Sequence, residues 1–144
     1  ALGIGMKVVA TDKYIDTAEV TVDLFNGDSV NVYINSVSME EVLKKADFIS
    51  LHVPSQKEYV IGSKEFDMMK GGAAIINAAR GGVIDEVALV NALDNNKLAF
   101  AALDTFENEP KPEIKLLMHP KISLTPHIGA ATWNCLNNFG PDLG

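Results

Sequence analysis

The chain has 144 residues, of which 47% are hydrophobic and 22% are charged, a balance that predicts one soluble globular domain. The formal charge of −7 argues against nucleic acid as a partner, because acidic surfaces repel phosphate backbones. No apolar run approaches the ~18 residues of a membrane-spanning helix, so no membrane partner is expected. The single cysteine, Cys135, excludes an internal disulfide and predicts a reducing, cytoplasmic location.

The first segment of the chain predicts the end of a helix and then a short strand. Gly3 or Gly5 would cap the helix in the left-handed conformation, and the β-branched run Met6 to Thr11 would form the strand, which closes at Asp12. A dinucleotide fingerprint does not fit this segment, because both glycines precede the strand and position 8 is Val8.

Extended runs and short helices are predicted next. The turn at Asn26 to Asp28 separates two runs, Val20 to Phe25 and Ser29 to Ile34, which predicts a hairpin or an edge strand. Ser38 opens a capping-box pattern, which predicts a helix from there to Ala46.

A buried strand and a helix are predicted before the centre of the chain. The strand runs from Asp47 to Val53, where Pro54 stops it and His52 lies at its carboxyl end. The helix runs from Ser63, its predicted N-cap, to Lys70.

The central segment predicts a strand, a helix and a second strand. The strands are Ala73 to Asn77 and Ala99 to Asp104, and the helix is Asp85 to Asn95. Both strands are almost continuously apolar, which indicates burial on both faces and a parallel sheet. The predicted core face of the helix consists of Val87, Leu89, Val90 and Leu93.

Polar side chains follow the predicted strands at their carboxyl ends, and a third apolar run, Ile122 to Leu124, precedes the last of them. In parallel sheets, ligands bind beyond these ends, so we expect the side chains to share one rim. In chain order they are Asn77, Arg80, Asp104, Glu109 and His127.

Three segments, NAARGGVIDEVAL, LDTFENEP and LTPHIGA, resemble the signatures of the NAD-dependent D-2-hydroxyacid dehydrogenases, in the family's order. The resemblance covers the chain to about Thr132. It implies an α/β nucleotide-binding domain with a Rossmann-like parallel sheet and flanking helices, NAD as the cofactor, and a homo-oligomer, dimer or tetramer, as the complete protein. It also implies a small 2-hydroxy or 2-keto acid substrate. The wording is closest to members that act on D-3-phosphoglycerate, with glyoxylate, hydroxypyruvate and D-lactate as alternatives.

The resemblance implies three catalytic residues, Arg80, Glu109 and His127. A guanidinium binds a carboxylate in a bidentate way, which suits Arg80 to the acid group of the substrate. Histidine exchanges protons near neutrality, so His127 would act as acid in reduction and as base in oxidation. Glu109 would orient the imidazole and favour its protonated form.

The resemblance also implies the cofactor-binding residues. Asp12 would accept hydrogen bonds from the adenosine ribose and repel a 2′-phosphate, although on its own it would more simply open a turn. The segment from His52 to Pro54 would flank the adenine, and Asp104 would bind the nicotinamide carboxamide. The full set is Asp12, His52, Val53, Pro54, Asn77, Ala78, Ala79, Arg80, Asp104, His127, Gly129 and Ala130.

The spacing predicts a partial dinucleotide-binding domain over residues 1–144. The glycine-rich loop of this fold lies about 20 residues before the acidic residue that corresponds to Asp12, which places the loop and the first strand before Ala1. The substrate domain would also lie outside the chain, and residues after Thr132 depart from the family pattern. We therefore expect an unpaired strand edge and an isolated chain without activity.

Of two other classes of function, an NAD-binding scaffold stays open and a metal hydrolase is disfavoured. A member of the same family could bind NAD as a scaffold or corepressor, and turnover of a keto acid would distinguish it from an enzyme. A metal hydrolase is disfavoured, because His52, His119, His127 and Cys135 lack the spacing of paired metal ligands.

Overall fold

The computed structural model describes residues 1–128, which form two compact units, Ala1–Ala46 and a second one that begins at Asp47. Within this range no helix has the length and apolar character needed to cross a bilayer. The elements are a 3-10 helix (Leu2–Ile4), β1 (Thr17–Asp23), β2 (Ser29–Asn35), α1 (Met39–Lys45), β3 (Phe48–Leu51), α2 (Ser63–Met68), β4 (Ala73–Asn77), α3 (Glu86–Asp94), β5 (Leu98–Leu103), α4 (Ile114–Leu117) and β6 (Ile122–Leu124).

The first unit contains the predicted hairpin and the predicted capped helix. Strands β1 and β2 pair in antiparallel fashion, and Ser38 accepts a hydrogen bond from the Glu41 N–H, as its capping pattern indicates. Gly5 has the predicted left-handed conformation, with φ of 79°. The predicted strand from Met6 to Thr11 is wrong, because of these residues only Ala10 finds a partner, in an isolated bridge.

The second unit contains a four-stranded parallel sheet in the order β3-β4-β5-β6, which confirms the predicted fold class. The backbone hydrogen bonds continue beyond the strands, since the Asp104 N–H donates to the Asn77 carbonyl and the Thr125 N–H to the Leu103 carbonyl. The carboxyl ends of β4, β5 and β6 therefore meet at one edge. Phe100 in β5 remains 41% exposed, so of the two central strands only β4 is buried on both faces as predicted.

Helices α2 and α3 deviate from the predictions in detail. The N-cap of α2 is Gly62, one residue before the predicted Ser63, because the Glu65 carboxylate reaches back to the Gly62 N–H. In α3, Val87 is 69% exposed and does not belong to the core face. The buried side of α3 consists of Glu86, Ala88, Leu89, Ala92 and Leu93.

His119, just before Pro120, has a largely buried side chain that lies against α3. Its side chain is only 8% exposed, with Nε2 3.2 Å from Asp94 Oδ1 and Nδ1 accepting from the Lys121 N–H. The Lys121 ammonium binds the Leu93 carbonyl and the Asn96 side chain. The Leu93 carbonyl near the end of α3 already accepts from the Asn96 N–H, and the lysine from the loop before β6 adds a charged donor to it.

We expect Thr105→Val to stabilise the fold. Thr105 is 1% exposed, and its hydroxyl has no hydrogen-bond partner among residues 1–128. A buried, unpaired hydroxyl costs free energy that an isosteric methyl group does not, so the free energy of unfolding should rise by about 1 kcal/mol. Thr125→Val is the matched control and should lower it, because the Thr125 hydroxyl donates to Asp104 Oδ1. Urea unfolding compares the two, and a destabilised Thr105→Val protein would contradict the expectation.

Candidate active site

Asn77, at the end of β4, shapes the loop that carries Arg80. Its side chain is 3% exposed, and it accepts a hydrogen bond from the Ala79 N–H and donates one to the Arg80 carbonyl. A buried amide that satisfies its own donors and acceptors within one loop holds that loop in a single conformation. The structure therefore shows Asn77 supporting the loop, whereas direct contact with a cofactor stays a prediction.

The Arg80 side chain is exposed and donates to the neighbouring Ala79 carbonyl at 2.7 Å. Within residues 1–128 it forms no ion pair, and it makes no hydrogen bond with Glu109 or His127. Its guanidinium is therefore available to an anionic ligand. Arginine is well suited to that role, because it stays charged and offers two parallel donors to a carboxylate.

Glu109 and His127 lie in hydrogen-bond contact, with Glu109 Oε2 2.9 Å from His127 Nδ1. The other carboxylate oxygen accepts from the Phe106 N–H at 2.9 Å. The hydrogen bond with His127, and after it the one with Phe106, lower the pKa of Glu109 below its ordinary value. In the described part of the chain the second ring nitrogen of His127, Nε2, has no hydrogen-bond partner, so it can meet a ligand.

Asp104 fixes the segment that presents His127. It is 8% exposed, and its Oδ1 accepts from the Thr125 hydroxyl at 2.5 Å and from the Ile128 N–H at 2.8 Å. These contacts flank His127, whose own backbone has a left-handed φ of 55°. The sequence did not predict this supporting role, because nothing in the two segments indicates that they hydrogen-bond to each other.

The Arg80 loop and the Glu109 loop are in direct contact through Gly81. A Cβ atom at this position would lie 1.9 Å from the Phe106 carbonyl oxygen and 2.5 Å from its carbon. Glycine is required at position 81 by the close approach of another main chain, whereas the left-handed φ, 73°, belongs to its neighbour Gly82. Two of the predicted catalytic residues thus lie on loops that touch.

An apolar cavity of about 400 Å³ adjoins the Glu109 and His127 side chains. It opens at the carboxyl edge of the sheet, where β6 ends and α4 packs nearby. Such cavities, with a few polar groups at one side, are typical of sites for small molecules. Its other lining residues are Phe106, Pro110, Pro112, Leu117, Leu124, Thr125 and Pro126.

Other predicted cofactor residues of the second unit also follow strand ends. His52 is exposed just after β3, with Nε2 2.9 Å from the Ser50 hydroxyl. Beside it, Val53 is half-buried and Pro54 is exposed, and after β4 Ala78 is exposed and Ala79 half-buried. Gly129 and Ala130, like Cys135 and the end predicted to diverge after Thr132, lie outside the described residues.

Asp12 lies in the first unit, where it organises a turn. Its Oδ1 accepts from the Tyr14 N–H at 2.7 Å and from the Ile15 N–H at 3.0 Å. Its own N–H donates to the Ser36 hydroxyl. The structure thus shows the turn-opening role that was the simpler alternative, and the ribose contact stays a prediction. In the described range no group of three or more His, Cys, Asp or Glu side chains could hold a metal ion.

The Glu109 hydrogen bonds predict a pH-dependent contribution to stability. Because its pKa is lowered on folding, the contribution is fully present above the pKa of an unfolded glutamate, about 4.3, and is lost as pH falls through the folded value. The difference in free energy of unfolding between the native protein and Glu109→Gln should therefore shrink as the pH is lowered from 6 toward about 3. Urea titrations at several pH values measure it, and a difference that does not change with pH would contradict the expectation.

Comparison with known proteins identifies the family of the chain. A model of the D-isomer specific 2-hydroxyacid dehydrogenase family, NAD-binding domain, matches residues 1–129. D-3-phosphoglycerate dehydrogenase of Bacillus subtilis is 48% identical over 101 residues, which cover 69% of this chain and 19% of that protein. Glyoxylate reductase of Thermococcus litoralis is 48% identical over 98 residues, 67% of this chain and 30% of that protein.

A solved structure of the same family is also similar to this chain. The glyoxylate reductase from Paecilomyes thermophila has a TM-score of 0.68 and 43% identity, and the match covers 71% of this chain and 32% of that one. The chain spans less than a third of each of these three relatives. The fold and the signature segments are nevertheless those of one family. The chain belongs to the D-isomer specific 2-hydroxyacid dehydrogenases and represents their NAD-binding domain.

Proposed function

We propose that this domain serves an enzyme that transfers a hydride between NAD(H) and a D-2-hydroxy acid or its 2-keto acid. The observation that carries the proposal is the Glu109 carboxylate 2.9 Å from the His127 ring, at the edge of the sheet where the strands end. Such a pair holds an imidazole in one orientation, so that its other ring nitrogen can exchange a proton with a carbonyl oxygen.

Each predicted catalytic residue has a role in the proposal. Arg80 binds the substrate carboxylate, since its guanidinium is exposed and forms no ion pair within residues 1–128. His127 donates a proton from Nε2 to the carbonyl oxygen in reduction and removes it in oxidation. Glu109 contacts Nδ1 and so holds the ring in one orientation.

The residues along this edge fit a dinucleotide. Ala78 and Ala79 carry small side chains where a ligand would approach the main chain, and the exposed Pro54 offers an apolar surface. In the proposal, these residues and His52 hold the cofactor, and Asp12 contacts its ribose. Bound NADH supplies the hydride, and the protein supplies the orientation and the proton.

D-3-phosphoglycerate is the first candidate substrate, in serine biosynthesis. A phosphoglycerate dehydrogenase and a glyoxylate reductase are equally similar to this chain, at 48% identity, so glyoxylate, hydroxypyruvate and D-lactate remain alternatives. We further propose that a separate substrate domain completes the active site, that the complete enzyme is a homo-oligomer, and that residues 1–144 alone are inactive.

A substrate panel tests the proposal. The complete natural polypeptide would be assayed with NADH and 3-phosphohydroxypyruvate, glyoxylate, hydroxypyruvate or pyruvate, and we expect NADH oxidation with at least one of them. The same panel with NADPH tests Asp12, since a carboxylate near the ribose should disfavour a 2′-phosphate. Tight binding of NADH without turnover of any keto acid would contradict the proposal and would favour an NAD-binding scaffold.

A further inference from the structure

Glu86, the first residue of α3, is buried in an unusual way for a glutamate. It is 6% exposed, its Oε1 accepts from the Glu107 N–H at 2.7 Å, and its Oε2 is buried without a partner among residues 1–128. A glutamate at the first residue of a helix interacts favourably with the helix dipole, but an exposed glutamate could fulfil that role. Its burial therefore requires another explanation.

The burial of Glu86 is unfavourable for stability at neutral pH. Burial raises the pKa of its carboxyl group, because the charged form loses its hydration. A folded pKa above the unfolded one means that ionised Glu86 destabilises the fold at pH values above the unfolded pKa. A residue that opposes stability in this way but satisfies one particular N–H group is a candidate for a role at the active site.

The N–H group that Glu86 binds adjoins the one that holds Glu109. The Phe106 N–H donates to Glu109 Oε1 at 2.9 Å, and the next N–H in the chain, that of Glu107, donates to Glu86 Oε1 at 2.7 Å. Glu109 in turn contacts His127 at 2.9 Å. The orientation of this short stretch of main chain thus connects the start of α3 with the Glu109 and His127 pair.

Two further contacts hold the same stretch from other sides. Gly81 lies against the Phe106 carbonyl, with no room for a side chain. The Tyr59 hydroxyl donates to Glu107 Oε1, and this hydrogen bond raises the pKa of Tyr59 to about 12, so the hydroxyl remains a donor at any working pH. Gly81 contacts the Phe106 carbonyl, and Tyr59 contacts the Glu107 side chain. The Glu107 N–H donates instead to the Glu86 carboxylate.

We propose that Glu86 is a positioning residue for Glu109. By binding the Glu107 N–H, Glu86 orients the main chain of Phe106 and Glu107 so that the Phe106 N–H faces Glu109. This hydrogen bond holds Glu109 against His127. The role in catalysis rests on the proposed function, whereas the positioning of Glu109 does not. An amide oxygen can accept the same hydrogen bond, so the acceptor is required and the charge is not.

The test compares Glu86→Met with Glu86→Gln. Methionine keeps the length and volume of the side chain but removes the acceptor, and glutamine keeps the acceptor without the charge. Glu65→Met is the matched control, because Glu65 also accepts from a main-chain N–H at a helix start, that of Gly62 in α2. Each variant would be made in the complete natural polypeptide, and its fold would be checked by thermal unfolding.

The first readout is the pKa of the Glu109 carboxyl group, measured by carbon NMR titration. Its lowered value depends on the hydrogen bonds from His127 and Phe106, so it should rise toward the ordinary value in Glu86→Met. It should stay at the native value in Glu86→Gln and in Glu65→Met. This readout needs neither cofactor nor turnover. An unchanged Glu109 titration in a folded Glu86→Met protein, or a raised pKa in Glu86→Gln, would overturn the proposal.

The second readout is steady-state kinetics. We expect kcat to fall by roughly 10- to 100-fold in Glu86→Met with KM little changed, and to recover in Glu86→Gln, because a small displacement of a catalytic group slows the chemical step. If the Glu109 pKa responds as expected but the native polypeptide turns over no keto acid, the proposed function fails and the positioning stands. If the pKa responds but kcat does not, the role in catalysis is refuted.

A third measurement applies even if Glu86→Met fails to fold. Hydrogen exchange of the Glu107 amide in the native protein should be slow, since the amide donates to a buried oxygen, and it should remain slow in Glu86→Gln. Rapid exchange of this amide in the native protein would show that the hydrogen bond does not persist in solution, and the proposal would be wrong.

Discussion

Replacement of His127 by glutamine is expected to lower kcat for reduction of the preferred 2-keto acid by about 10²- to 10⁴-fold. Glutamine can still meet Glu109, but it cannot deliver a proton near neutrality. The structure places the two groups 2.9 Å apart, so the loss should arise from proton transfer and not from misfolding. Steady-state kinetics on the complete natural polypeptide, with thermal unfolding to check the fold, measure the effect.

The carboxylate partner provides a matched pair of variants. Glu109→Gln should also lower kcat, because an amide holds the imidazole by a weaker hydrogen bond than a charged carboxylate does. Glu113→Gln is the control, since Glu113 is an exposed carboxylate four residues later at the start of α4. It should leave kcat unchanged. A folded His127→Gln protein with native kcat, or equal losses in Glu109→Gln and Glu113→Gln, would refute the assigned roles.

Among the glycines of residues 1–128, Gly81 is expected to be the one whose replacement by alanine is most disruptive. The added Cβ would lie 1.9 Å from the Phe106 oxygen, 2.5 Å from its carbon and 3.1 Å from the Glu107 nitrogen. These are main-chain atoms and cannot rotate away, so the two loops must separate. Overpacking costs about 1–3 kcal/mol, and the displaced Phe106 N–H would also release Glu109. We expect lower stability and a rise in the pKa of Glu109.

Alanine variants of two other glycines distinguish the effect of a close main-chain approach from the effect of backbone conformation. Gly71→Ala meets nothing within 4 Å, and its φ is not left-handed, so it should change the free energy of unfolding little. Gly82→Ala also has open space but a φ of 73°, and it should cost about 1–2 kcal/mol from backbone strain without moving the Glu109 pKa. Urea unfolding and NMR titration of the three variants test this order. A Gly81→Ala protein with native stability would contradict the close contact.

The elements that could be predicted from sequence are those with strong local signals. The bounds of β4 and β6 agree with the prediction, because apolar runs between turn residues define them. The hairpin of β1 and β2 follows from its glycine turn. In a parallel sheet the carboxyl ends of neighbouring strands share one edge. A prediction of a parallel sheet therefore also predicts that Glu109 and His127 lie near each other.

The features that could not be predicted depend on contacts between distant segments. His119 is buried because its neighbour Lys121 reaches the end of α3, and no local pattern indicates that contact. Met6 to Thr11 has the composition of a strand but only one bridge partner, and strands require a ladder. Glu86 has the sequence of an ordinary helix start, and its burial is visible only when the loop after β5 is in place.

The site roles were available only from the resemblance, since residue type and spacing alone left them open. Asp12 illustrates the limit, because a single acidic residue after a short strand can open a turn, contact a ribose or do both, and the turn is what the structure shows. Asp104 is similar, because its carboxylate supports the segment around His127 in addition to any contact with a cofactor.

Transfer of deuterium from NADH that carries deuterium at both positions of nicotinamide C4 tests the central claim most directly. The complete natural polypeptide would be incubated with the labelled cofactor and the 2-keto acid that it reduces fastest. Mass spectrometry and chiral chromatography would then identify the product. We predict one deuterium at C2 of the D-2-hydroxy acid, and the same labelled product formed much more slowly when His127 is replaced by glutamine. Bound NADH that transfers no deuterium to any of the tested keto acids would contradict the assignment of Arg80, Glu109 and His127 as a dehydrogenase site.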